Sequence, residues 1–162
     1  MRIAVVGSIN KDTIVQTERL PKEGETLMAT RLSFAYGGKG ANQAVAASRL
    51  GAHVSMVGAL GTDAVGSEQR ENLSAAGIET SGIATVDGPS GIALITVSMD
   101  GRNTIIVAAG ANSHVTPELV RANQAQIENA DALMLQMEIP IEASLEAARI
   151  ARSSDTQVFL NP

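Results

Sequence analysis

Gly37-Gly38-Lys39-Gly40-Ala41-Asn42 leads directly into Gln43-Ala44-Val45-Ala46-Ala47-Ser48-Arg49-Leu50-Gly51, a glycine-rich turn followed by a small-residue segment and a glycine stop. A helix is predicted over Ala41–Leu50: Ala44, Ala46 and Ala47 let it lie close to a sheet, and Gly51 ends it. The turn offers backbone N–H groups at the positive end of a helix dipole, so a nucleotide phosphate is the first ligand to consider. The residues argue against it. No Ser or Thr follows Lys39, and the spacing of a phosphate-binding P-loop is missing. A lysine is also disfavoured at the positive end of a helix dipole, which points to a functional reason for Lys39.

Outward from this stretch, strands and helices alternate. Ile3–Val6 is an apolar run closed by Gly7-Ser8 and predicts a fully buried strand. Thr13–Gln16 reads as a second short strand, Pro21–Glu25 as an exposed turn, and Leu27–Tyr36 as a half-exposed strand. Val54–Val57 predicts another buried strand, and Asp63 an N-cap for a helix reaching about Ala76, with Gly77 beyond it. Gly91–Ser98 and Thr104–Ala108 are β-rich runs joined through Asp100-Gly101, a hairpin signature. Thr116-Pro117-Glu118 opens a helix predicted to end near Ala130. Ala132–Met137 is then a strand, Pro140 opens a helix through about Arg152, and Gln157–Leu160 is a last strand. The alternation predicts a doubly wound α/β sheet, and its two β-only interruptions predict a small β flap. The chain stops at Asn161-Pro162 directly after a core strand, which gives the expectation of a sheet cut partway.

Composition narrows the function classes. The 162 residues suffice for one domain with a core, and 44% hydrophobic against 18% charged residues is a globular balance. Aromatics contribute only 2%, so the core must be built from Ala, Val, Ile and Leu, as suits buried parallel strands under alanine-rich helices. A net charge of −5 without a basic stripe argues against nucleic acid as a partner. The absence of cysteine excludes disulfides and thiolate zinc sites and fits the cytoplasm. The opening apolar run is too short for a membrane span, so no membrane association is expected. His53 and His114 show no metal-ligand spacing, and no metal site is expected in this chain.

Ligands of open α/β sheets sit beyond the carboxyl ends of the strands. Asn10 and Asp12 follow the first strand, Glu138 follows Ala132–Met137, and Asn161 follows the last strand. Carboxylates accept hydrogen bonds from adjacent hydroxyls and an Asn amide both donates and accepts, so this set suits a neutral polyol better than a phosphorylated ligand.

The longer string Gly37–Ala44, followed at matching distances by Gly51 and Gly61, resembles the first signature of the ribokinase family of sugar and nucleoside kinases. Gly7-Ser8-Ile9-Asn10-Lys11-Asp12 is similar to the family's opening strand and its Asn-x-Asp pair, and Pro21–Thr26 to its Pro-x-x-Gly-Glu-Thr turn. Gly58–Gly66, Ala109-Gly110-Ala111-Asn112, Gln136-Met137-Glu138 and Asn161-Pro162 extend the likeness over the whole chain, in order. The resemblance implies the N-terminal half of a ribokinase-like three-layer sandwich with a mostly parallel sheet and a β-sheet lid. Residues 1–10, 35–90 and 108–162 would form the partial core, and 11–34 and 91–107 the lid. It also implies that Asn10, Asp12, Gly38, Lys39, Asn42 and Glu138 bind a sugar, with Asn112 as a neighbour of the site. The lysine-containing signature favours D-ribose, phosphorylated at its 5-hydroxyl, and the lid would pair two subunits into a homodimer.

One departure is large. The family's Gly-Ala-Gly-Asp segment, which carries the catalytic Asp, is absent, as are the sites for ATP, Mg²⁺ and a monovalent cation such as K⁺. No catalytic residue is therefore expected in this chain, which is predicted inactive alone because phosphoryl transfer needs a positioned nucleotide and a proton acceptor. The alternatives are a non-catalytic sugar-binding or lid-mediated interaction module, and a truncated product without a function of its own.

Overall fold

The computed structural model describes residues 1–162. Ten strands fall in two sheets. The larger sheet contains β1 (Arg2–Val6), β4 (His53–Gly61), β5 (Ile78–Glu79), β6 (Ile83–Val86), β9 (Ala132–Gln136) and β10 (Gln157–Asn161). Its order is β10-β9-β1-β4-β5, with β6 pairing the far half of β4, and every pair is parallel. The smaller sheet contains β2 (Asn10–Thr17), β3 (Arg31–Gly37), β7 (Gly91–Ser98) and β8 (Asn103–Ala108) in the order β3-β2-β7-β8, with only β2 and β7 parallel.

Two apolar clusters sandwich the larger sheet because alternate side chains of a strand point to opposite faces. Ile3 and Val5 of β1, with Val54 and Met56 of β4, pack under α1 (Lys39–Arg49) and α2 (Ala64–Ala75) through Ala41, Ala44, Ala47 and Leu73. Ala4 and Val6, with Leu133 and Leu135, pack under α3 (Pro117–Ala122), α4 (Gln124–Glu128) and α5 (Ile141–Ser153). This is the mixed α/β, mostly parallel architecture with a second small sheet that the alternation of strands and helices predicts.

Several boundaries differ from the sequence-based expectation. The strand expected at Thr13–Gln16 runs from Asn10 to Thr17, so Asn10 and Asp12 lie on a strand and share one of its faces. The strand expected from Leu27 begins at Arg31, the residue that pairs with Gln16; just before it, Thr30 N–H and its hydroxyl both donate to the Gln16 carbonyl, at 2.8 and 3.1 Å, and close the turn that enters the strand. The helix expected to continue to Ala130 is broken at Asn123, whose side-chain amide donates to the Leu119 carbonyl at 2.9 Å and competes with the backbone ladder. The cap assignments hold: Asp63 accepts from Gly66 N–H and Thr116 from Leu119 N–H.

Candidate functional site

The first strand ends in Gly7-Ser8-Ile9, which passes from β1 directly into β2 and so joins the two sheets. The glycine run wraps this junction. Gly38 has φ +90°, and a Cβ on it would come within 2.8 Å of the Ser8 carbonyl and the Asn10 nitrogen. A Cβ on Gly40 would come within 2.7 Å of the Ser8 nitrogen. Only glycine allows this approach of backbone to backbone.

The N–H groups of the turn are spent inside the protein. Lys39 N–H donates to Glu138 Oε2 at 2.9 Å, Gly40 N–H to Ser8 Oγ at 3.2 Å, and Ala41 N–H to the Ser8 carbonyl at 2.9 Å. Gly38 N–H, at the buried start of the turn, has no protein acceptor. The first turn of α1 contains no acid of its own, so Glu138 supplies the negative charge at its positive end. A phosphate here would find occupied donors and a carboxylate already in place. The residues of the turn therefore do not fit a nucleotide phosphate.

Glu138 is held from two sides, since Ser8 Oγ also donates to its Oε2 at 2.7 Å. Both of these bonds fall on one oxygen, which leaves Oε1 for a ligand. Asp12 stands nearby, half-buried: burial, and then the negative charge of Glu138, raise its pKa above the ordinary 3.8. Its carboxylate lies over Gly37, where any Cβ would collide with it. Lys39 is exposed and its Nζ reaches the Pro162 carbonyl at 3.3 Å, across the ends of β9 and β10.

Asn10 is buried, and its side-chain oxygen accepts from Asn112 Nδ2 at 2.7 Å. Its carbonyl accepts from Gln69 Nε2, on the buried face of α2. The structure therefore brings Asn10, Asp12, Gly38, Lys39 and Glu138 together where the two sheets meet, with Asn112 directly behind Asn10. Asn42 stands apart. It is exposed, its side chain makes no hydrogen bond, and it lines a cavity of about 450 Å³ with Tyr36, Val45, Arg49 and Asn72. Asn161 lies exposed on β10, opposite Gln136. His53 and His114 are exposed, and no three acidic, His or Cys side chains converge as a metal site.

Sequence reasoning missed Ser8 and Gln69. Ser8 is a hydroxyl immediately beyond a buried strand, which was the available signal. Gln69 carried none, because a mid-helix glutamine looks solvent-facing until α2 is docked.

Known proteins match this chain from end to end. A family model described as pfkB family carbohydrate kinase matches residues 1–162. Ribokinase of Haemophilus influenzae is 42% identical over 161 residues, covering 99% of this chain and 53% of its own length. Ribokinase of Bacillus subtilis is likewise 42% identical, covering 99% of this chain and 55% of its own. The structure of Arabidopsis thaliana ribokinase complexed with ribose and ATP superposes with a TM-score of 0.86 at 37% identity, covering 98% of this chain and 52% of that one. The chain thus spans about half the length of the curated relatives it matches. On these matches, which run over essentially its whole length, the chain belongs to the pfkB family of carbohydrate kinases, as a ribokinase-like N-terminal half.

Proposed function

We propose that this chain supplies the sugar-binding half of an ATP-dependent kinase that phosphorylates D-ribose at its 5-hydroxyl. The observation that carries this reading is the convergence of Asp12 and Glu138 with Asn10 and Lys39 at the sheet junction. Two acceptor-only carboxylates, an amide and an ammonium offer a neutral polyol the hydrogen bonds its hydroxyls can make. Gly38 N–H adds one donor, and Asn42 contributes only if its exposed side chain turns toward the sugar. Residues 11–34 and 91–107 act as a lid over the sugar, and 1–10, 35–90 and 108–162 as the partial core.

The whole enzyme would use ATP, Mg²⁺ and a monovalent cation such as K⁺, bound by residues outside this chain. What this chain's own residues do is bind the sugar, orient it and shield it from water. Val158, Phe159 and Leu160 of β10 are 42%, 51% and 56% exposed on an edge strand, an apolar surface suited to a further layer that carries the nucleotide. A cytoplasmic enzyme with a small-molecule partner, and with neither nucleic acid nor membrane, is consistent with the acidic charge; no helix is long and apolar enough to cross a membrane.

Calorimetric titration with D-ribose tests the reading. The wild-type chain should bind and Asp12→Ala should not; equal heats from both would overturn it. The 162-residue chain should form no ADP from ATP and ribose.

A second role is pairing of two copies through the lid sheet. Leu32, Phe34, Tyr36, Leu94 and Ile106 share its face opposite Asp12 and are all about half exposed or more. Sedimentation should show a dimer that Phe34→Asp disrupts; a monomeric wild type would rule out this pairing.

A further inference from the structure

Asn112 lies in the short 3-10 turn Gly110–His114 that leads from β8 back to the larger sheet, and it is almost completely buried. Its amide is fully engaged. Oδ1 accepts the Ile9 N–H at 2.9 Å, and Nδ2 donates to the Ile9 carbonyl at 3.1 Å and to Asn10 Oδ1 at 2.7 Å. The two ends of an amide are assigned by their partners. A backbone N–H can only donate and a backbone carbonyl can only accept, so Ile9 dictates which end of Asn112 is oxygen and which is nitrogen.

That choice propagates to Asn10. With the Asn112 NH₂ beside it, Asn10 must place its oxygen there, and its own NH₂ is left without a protein partner. The packing leaves no slack, because a Cβ on Gly91 would collide with both amides.

We propose that Asn112 is a positioning residue that fixes the polarity of Asn10, so that Asn10 presents a donor, never an acceptor, to the ligand. The inference rests on the sugar-binding reading above and deepens it. Asn10 and Asp12 lie two residues apart on one face of β2, and they form a donor beside an acceptor. A hydroxyl satisfies that pair by accepting from Asn10 and donating to Asp12. An ammonium cannot accept, and a carboxylate or ketone cannot donate, so the pair selects neutral hydroxyls over amino and acidic sugars. Because Asn112 follows β8, the same contact ties the placement of the β7–β8 hairpin to the polarity of the site.

The test combines side-chain amide NMR with D-ribose titration on wild type, Asn112→Asp, Asn10→Ala and the double variant. Asn112→Asp keeps the acceptor for Ile9 N–H but removes the donor to Asn10. The Asn10 side-chain NH₂ resonance should shift without ligand, and ribose affinity should fall roughly tenfold, about 1.4 kcal/mol. The double variant should bind no more weakly than Asn10→Ala alone, since Asn112 acts through Asn10. An unmoved Asn10 resonance, or additive losses, overturns the inference.

Asn10→Asp gives a second arm that leaves Asn112 intact in case Asn112→Asp does not fold. It keeps the acceptor facing Asn112 and removes the donor facing the ligand, so it should bind ribose as poorly as Asn10→Ala; wild-type affinity would overturn the inference. If the wild type binds no ribose at all, the sugar reading fails, and the Asn10 resonance in Asn112→Asp still decides the placement of the amide.

Discussion

The Glu138 carboxylate accepts the Lys39 backbone N–H at 2.9 Å, so a side chain 99 positions along the sequence supplies the anion that α1 lacks at its start. The same oxygen takes the Ser8 hydroxyl, and the end of β9, the β1–β2 junction and α1 meet on one atom. Glu138→Ala should therefore lower the unfolding free energy by about 1–2 kcal/mol, the cost of losing a helix cap and its charge. Glu138→Gln should restore part of it, because an amide oxygen still accepts. Urea denaturation measures both; equal stability of all three proteins would show that the cap contributes nothing.

Ribose binding should depend on pH through Asp12. Burial, and then the charge of Glu138, raise its pKa above 3.8, so on acidification it protonates before an ordinary Asp does and stops being a pure acceptor. The sign for stability is the reverse of a salt-bridged Asp: the ionised group costs stability at neutral pH, and the cost is relieved as pH falls through the raised folded pKa. Affinity, by contrast, should drop through that same range. Calorimetry across a pH series should give a lower midpoint for Glu138→Gln, which removes the repelling charge. An identical midpoint would mean that the two carboxylates do not interact.

Asp63 behaves the opposite way. Burial alone would raise its pKa, but hydrogen bonds from the Ser90 hydroxyl and from the backbone N–H groups of Ser90 and Gly66 outweigh it and lower the pKa below 3.8. Its contribution to stability is present above 3.8 and is lost as pH falls through the lower folded pKa. Asp63→Ala should cost about 1–3 kcal/mol at neutral pH, since it uncaps α2 and leaves Ser90 without its partner. Unfolding curves of wild type and variant should converge in strong acid; a constant gap would contradict the assigned ionisation.

Asp155, just past the end of α5, has φ 57° and is the one non-glycine residue in the left-handed region. Asp155→Gly should raise stability by about 0.5–1 kcal/mol, because glycine relieves the Cβ crowding there at some cost in unfolded-chain entropy. Thermal melting gives the sign, and a lower melting temperature would show that the Asp side chain compensates for its backbone.

The layer architecture was legible along the chain because it is written in local chemistry. Four-residue apolar runs such as Ile3–Val6, the caps Asp63 and Thr116, and the Asp100-Gly101 turn each act within a few residues and were readable at once. Asn10, Asp12 and Glu138 were also legible as polar groups at strand ends. How those groups are paired, by contrast, follows from the folded chain alone. The bonds from Ser8 to Glu138, from Lys39 to Glu138 and from Asn112 to Asn10 span 130, 99 and 102 positions and exist only once the parallel sheet brings the strand ends side by side. The glycine run shows the division most clearly. Its composition marks a place where backbone comes close to something, but whether that partner is a phosphate or the protein's own Ser8 and Glu138 depends on what the rest of the chain places against it.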